Sequence, residues 1–245
     1  MSLPTNSPSW QSAGACLKFT SWLLGPLYLL MVSALYGAFL YAPTEREMGE
    51  VQRIFYFHVG AAWTSFLAFF IVFLGGLIYL ITRRQWWDNL AAASAEIGVM
   101  FTTIALATGS IWAKPIWNTW WPWGDPRLMT TMVLWLIYVS YLILRSSLPE
   151  GDKKYKYCAV FGIIGFFDVP IVWLSIRWWR TIHPVVITSD GAQLETEMVQ
   201  ALIIAVLACT VLYVTFLTLK TAIDLNSTTN EELSQKLMDS RLTRV

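Results

Sequence analysis

Two histidines are all that the 245-residue chain contains, and both stand in unusual company. His58 lies in Arg53-Ile54-Phe55-Tyr56-Phe57-His58-Val59-Gly60-Ala61-Ala62-Trp63, about one turn into a long apolar run. His183 lies in Arg180-Thr181-Ile182-His183-Pro184, just after the indole pair Trp178-Trp179. Imidazole ligates metals through either ring nitrogen, and two imidazoles on opposite faces can fill both axial positions of a haem iron. Two histidines taken without context would more often be one buried, hydrogen-bonded residue and one surface residue.

The context is a tryptophan-rich link at 112–127, which carries Trp112, Trp117, Trp120, Trp121 and Trp123, five of the fourteen tryptophans in the chain. So much indole surface needs a partner: lipid headgroups, other loops or a flat aromatic ligand. An interfacial aromatic belt explains Trp86-Trp87 and Trp112, because belts put one or two aromatics at each helix end. It does not explain Trp117 through Trp123. A porphyrin is a flat apolar disc with two carboxylates on one edge. Indoles suit its faces, and Lys114, Arg127, Arg177 and Arg180 supply cations for the edge.

The acids in this context are few. Asp125 is the one acid in the link, and it is expected to pair with Arg127 or to cap the helix that begins beside it. Glu96 and Asp168 interrupt apolar runs, where a carboxylate is costly and marks either a functional group or a polar kink. Pro170, just after Asp168, favours the kink. Cys16, Cys158 and Cys209 are widely spaced and read as small hydrophobes. The sequence has no G-x-x-x-x-G-K-[ST], no G-x-S-x-G and no H-E-x-x-H, so nucleotide hydrolysis and the common hydrolase chemistries are not encoded.

The elements that must position these groups are membrane helices. The chain is 56% hydrophobic and 13% charged, with a mean hydropathy of +0.52, where soluble domains carry about 25% charge. Apolar runs cover roughly 19–41, 54–81, 90–111, 128–144, 157–176 and 198–219, each near the ~20 residues needed to cross a bilayer. The expected fold is an all-α integral membrane protein, a bundle of six transmembrane helices. Residues 1–18 are expected as a polar N-terminal arm, 19–222 as the six-span domain, and 223–245 as a tail with a short helix capped near Thr228, Thr229 or Asn230. Eleven of the seventeen Lys and Arg residues fall on the side of the termini and six on the other. The positive-inside rule then puts both termini in the cytoplasm, with the tryptophan link and both histidines on the outer face. The formal charge of +1 gives no sign of nucleic acid as a partner.

Taken together, three ordered segments resemble the cytochrome c maturation protein C (haem exporter protein C) family. They are 53–63 around His58, the tryptophan-rich "WWD" segment from Trp117 to Leu128, and 168–183 with Asp168-Val169-Pro170, Ser175, Trp178-Trp179 and Thr181-Ile182-His183. The resemblance covers all six spans. The chain departs from the family pattern at Gly124, which separates Trp123 from Asp125, at Gly60 after the first histidine, and at Met129. The resemblance implies a haem-handling protein of the bacterial cytoplasmic membrane that holds haem b as cargo on its periplasmic face and delivers it to a periplasmic haem chaperone. Implied partners are the subunits of an ATP-binding-cassette exporter and a small single-span subunit, besides the bilayer itself. His58 and His183 are the expected iron ligands. The expected cofactor-binding residues are Trp117, Trp120, Trp121, Trp123, Asp125, Arg127, Trp178, Trp179, Lys114 and Arg180. Two other readings stand beside this one: a haem-independent permease subunit, with the tryptophans as a belt, and a cytochrome c haem lyase subunit. Lyases tend to be longer and richer in histidine.

Overall fold

A computed structural model describes residues 9–183, 187–188, 191–192 and 194–242. Among the described residues there are seven α-helices: α1 (Ser9–Tyr36), α2 (Ile54–Thr82), α3 (Gln85–Trp117), α4 (Pro126–Ser147), α5 (Asp152–Phe166), α6 (Asp168–Trp178) and α7 (Thr196–Leu242). A two-residue antiparallel ladder, β1 (Ile187–Thr188) with β2 (Gly191–Ala192), sits between α6 and α7. Among the described residues six helical segments are long and apolar enough to cross a membrane, the fifth being α5 and α6 in succession. The chain is therefore a multi-pass membrane protein.

Helix α2 is central and packs on α3, α5 and α7, while α1 lies against α7. Without a hydrophobic force between helices in lipid, small residues set how closely they approach. Ala34, Ala38, Ala42, Ala201, Ala205 and Ala208 form the α1–α7 seam around Tyr56 and Met198. A second cluster, with Phe69, Val72, Leu134, Tyr138 and Val172, joins α2 to α4 and α6. The other face of α1 is left outward, with Trp22 and Tyr28 exposed as lipid-facing aromatics.

Several expectations need correction. Residues 9–18 of the expected polar arm are helical, as part of α1, and Ala13 is already buried. The helix passes through Pro26 and ends in a π-helical turn, Gly37–Tyr41. The Arg53 guanidinium meets the turn there, donating to the carbonyl of Ala38 at 2.6 Å and that of Ala42 at 3.4 Å. The expected separate helix in the tail is instead the continuation of α7. No glycine or proline occurs between 196 and 242 to stop it.

The fifth span breaks at Phe167, three residues before Pro170. Proline has no N–H to return to the carbonyl of residue 166, so α5 ends at that residue. Asp168 opens α6, and its Oδ2 atom is buried without a hydrogen-bond partner among the described residues. Glu96 is paired with Lys220 of α7 at 3.1 Å, which gives that carboxylate a structural role in joining α3 to α7.

Candidate functional site

The tryptophan link is shorter than 112–127 suggested, because α3 continues through Pro115 to Trp117. Asn118 ends the helix in the left-handed conformation, with φ of 54°, a role asparagine fills more easily than β-branched or bulky residues. Trp112 and Trp117 therefore sit on the last two turns of α3, edge to face with ring centroids 4.9 Å apart. Lys114 reaches the Asn118 carbonyl at 3.4 Å, where a cation suits the helix C-terminus.

The loop proper runs over 118–125. Trp121 and Trp123 stand edge to face at 6.2 Å. Trp120 and Trp123 are 59% and 71% exposed. The Trp121 indole N–H is different: its nitrogen is buried and has no acceptor among the described residues.

Asp125 closes the loop from beneath. One carboxylate oxygen accepts the backbone N–H of Arg127 at 3.0 Å and of Leu128 at 3.2 Å, capping α4 with Pro126 at its first position. The other accepts the Thr181 hydroxyl and the Ile182 N–H, the latter at 3.1 Å. Asp125 is 4% exposed. Both oxygens of this expected cofactor-binding residue are thus engaged within the protein. Thr181 in turn accepts the His183 N–H at 3.0 Å. The tryptophan loop and the second histidine segment, far apart in sequence, are thus joined at one carboxylate. A depression of about 330 Å³ opens along this seam, lined by Pro122, Gly124, Asp125, Arg180, Thr181 and Ile182.

The two histidines come together. Their ring centroids lie 6.4 Å apart, with planes inclined by 35°. His58 Nδ1 lies 3.0 Å from the Ala105 carbonyl and 3.2 Å from the Thr108 hydroxyl, both on α3. A carbonyl can only accept, so Nδ1 carries the hydrogen and the neutral ring keeps its lone pair on Nε2. A backbone partner of this kind is what orients a ligating histidine in metal sites. Gly109 makes room for the ring: a Cβ there would stand 3.0 Å from His58 Cε1.

Of the cations, Arg127 is half-buried, lies within electrostatic reach of His58 and Asp125, and has no ion pair or side-chain hydrogen bond among the described residues. Arg177 stacks over Trp173 at 4.8 Å. Arg180 is exposed beside the depression, and Trp178 and Trp179 are 59% and 49% exposed. Thr108, Gly109 and Thr181 carry no sequence signal as site residues. Thr181 was visible only as a neighbour of His183, and the α3 groups only through helix packing.

Comparison with known proteins fits this arrangement. A family model described as "Heme exporter protein C" matches residues 4–236. The heme exporter protein C of Bradyrhizobium diazoefficiens is 32% identical over 196 residues, covering 79% of this chain and 74% of that protein. That of Escherichia coli strain K12 is 35% identical over 169 residues, or 69% of this chain and 68% of its relative. A Rhodobacter capsulatus protein of the same name is 28% identical over 229 residues, 92% of this chain and 93% of that one. With six apolar spans, paired histidines and a tryptophan-rich loop in one continuous match, the chain belongs to the heme exporter protein C family.

Proposed function

We propose that this chain binds haem b as cargo at the histidine end of its bundle, with His58 and His183 as the two axial ligands, and delivers it to a periplasmic haem chaperone. Family membership gives the coarser statement: a multi-pass membrane protein of cytochrome c biogenesis and haem handling. One observation carries the finer reading, the close approach of the two imidazoles. Two imidazoles bound to one metal from opposite sides stand with ring centres about 6 Å apart, given metal–nitrogen bonds of about 2 Å. The observed separation is 6.4 Å. The bond to Ala105 leaves His58 Nε2 as the ligating atom.

The surroundings suit the rest of the molecule. Exposed Trp120, Trp123, Trp178 and Trp179 offer apolar surface for the porphyrin at the rim. Arg127 and Trp121, neither of whose side chains has an acceptor among the described residues, offer donors for the propionates, with Lys114 and Arg180 further out. An open site at the protein surface favours exchange over storage. The positive-inside distribution supports both termini in the cytoplasm and the haem site facing the periplasm, and family membership supports the bacterial cytoplasmic membrane as the location. With no nucleotide-binding motif in the chain, energy for the cycle falls to ATP-binding-cassette subunits of the same complex, alongside a small single-span subunit.

The experiment is an absorption spectrum of the purified chain with haem, oxidised and reduced. A low-spin spectrum that weakens in both His58→Ala and His183→Ala is expected. Spectra unchanged in both variants, or transport without any pigment, would sink the reading in favour of a permease.

A further inference from the structure

The two histidines are held in unlike ways. His58 is fixed through its ring, by a hydrogen bond from Nδ1 to the helix beside it. The His183 segment is fixed through its backbone, and the hydrogen bonds on the N–H groups of Ile182 and His183 lead to Asp125, directly and through Thr181. The same carboxylate caps α4 and so defines where the tryptophan loop ends.

We propose that Asp125 is a positioning residue that, through the Thr181 hydroxyl, sets His183 opposite His58 and so decides whether the second axial position is filled. The proposal rests on the bis-histidine reading above and adds the device that controls one of its ligands. The Thr181 hydroxyl has a single hydrogen, donated to Asp125, and its lone pairs are left to receive the His183 N–H; the two bonds are therefore compatible and directional. A charged acceptor shared by a hydroxyl, a link N–H and two helix-cap N–H groups is strong enough to hold a segment that lies outside regular helix. The clasp acts on the backbone beside His183 and not on His58, so opening it bears on one of the two ligands.

The test compares Thr181→Val, which keeps the shape and removes the hydroxyl, with Thr181→Ser, which keeps the hydroxyl, and uses Asp125→Asn and His183→Ala as references. The full-length protein is purified in detergent and loaded with ferric haem, and spin state is read by absorption and electron paramagnetic resonance. Amide exchange over 181–183 is followed in the haem-free protein. In Thr181→Val and Asp125→Asn the haem should turn from low-spin to largely high-spin, as in His183→Ala, and free imidazole should restore the low-spin form. Exchange at Ile182 and His183 should rise about tenfold. Thr181→Ser should behave as the parent in both readouts. A low-spin haem retained in Thr181→Val overturns the proposal, whether or not exchange rises, and so does a high-spin shift shared by Thr181→Ser. If the parent itself shows no low-spin haem, the bis-histidine reading fails. The exchange measurement then still decides whether the clasp exists, and unchanged exchange in Thr181→Val removes it.

Discussion

At the end of the bundle away from the histidines, Arg145 grips Asp88 through two hydrogen bonds of 3.0 and 2.6 Å. Asp88 is 2% exposed there. Lys154 meets Glu150, Lys156 meets Asp152, and Arg83 reaches Asp152 at 4.0 Å. At the histidine end the pattern reverses. Among the described residues the half-buried Arg127 side chain and the buried Trp121 N–H have no acceptor, and Trp120, Trp123, Trp178 and Trp179 are exposed. Of the acids at that end, Asp125 caps a helix, Glu50 meets Arg53, and Glu195 reaches Arg46 at 3.9 Å. One end satisfies its polar groups internally. The other leaves donors and indole surface open, as a site for an anionic apolar ligand would.

That contrast makes separable predictions. The largest effect belongs to the closed end: Asp88→Ala leaves Arg145 buried without its partner and should cost about 3–5 kcal/mol of stability. Unfolding in micelles measures it, and the haem spectrum per folded molecule should not change. A loss of haem at unaltered stability would erase the distinction between the ends. Next comes Arg127→Gln, which should weaken haem binding by about 1.5–3 kcal/mol, as for a hydrogen bond to a charged group. Haem titration reads this, while unfolding of the haem-free protein should hardly move.

Gly109→Ala presses a methyl group against the His58 ring, an overpacking worth about 1–3 kcal/mol. It should lower the low-spin fraction with no gain in proteolytic sensitivity. Trp120→Ala and Trp123→Ala should each change stability by less than about 0.5 kcal/mol, since both rings are exposed. A clear drop in haem affinity from the same variants would sharpen the case that the rings serve a ligand; an unchanged affinity would return them to the lipid interface. Lys220→Gln, which loses partly exposed pairs with Glu96 and Asp224, should cost at most about 1 kcal/mol of stability and leave haem affinity unchanged.

The spans and their order were legible because a bilayer asks for ~20 apolar residues at a time, and that demand is written in composition. The cap at Asp125 was legible too, since Asp-Pro before an apolar run is a local signal for a helix start. Contacts between distant segments were not. Nothing near Asp88 names Arg145, and nothing near Asp125 names Thr181, because such pairs follow from how helices pack. The continuation of α3 through Pro115 was missed for a different reason. Proline removes a single hydrogen bond, and here it falls in the last turn before Trp117, where few bonds remain to be lost. The tail was misread in the opposite direction: good local capping residues at 228–230 suggested a new start, but an uninterrupted helix needs none.

Helix α7 is 47 residues long. At about 1.5 Å per residue it measures about 70 Å, more than twice a hydrocarbon core of about 30 Å. Whatever its tilt, a large part of it stands clear of lipid as a rod continuous with the span that packs on α1 and α2. A rod carries torque and displacement where a loop would absorb them. Its far end is thus rigidly linked to the seam between α1 and α7, into which Tyr56 of the helix that bears His58 is packed.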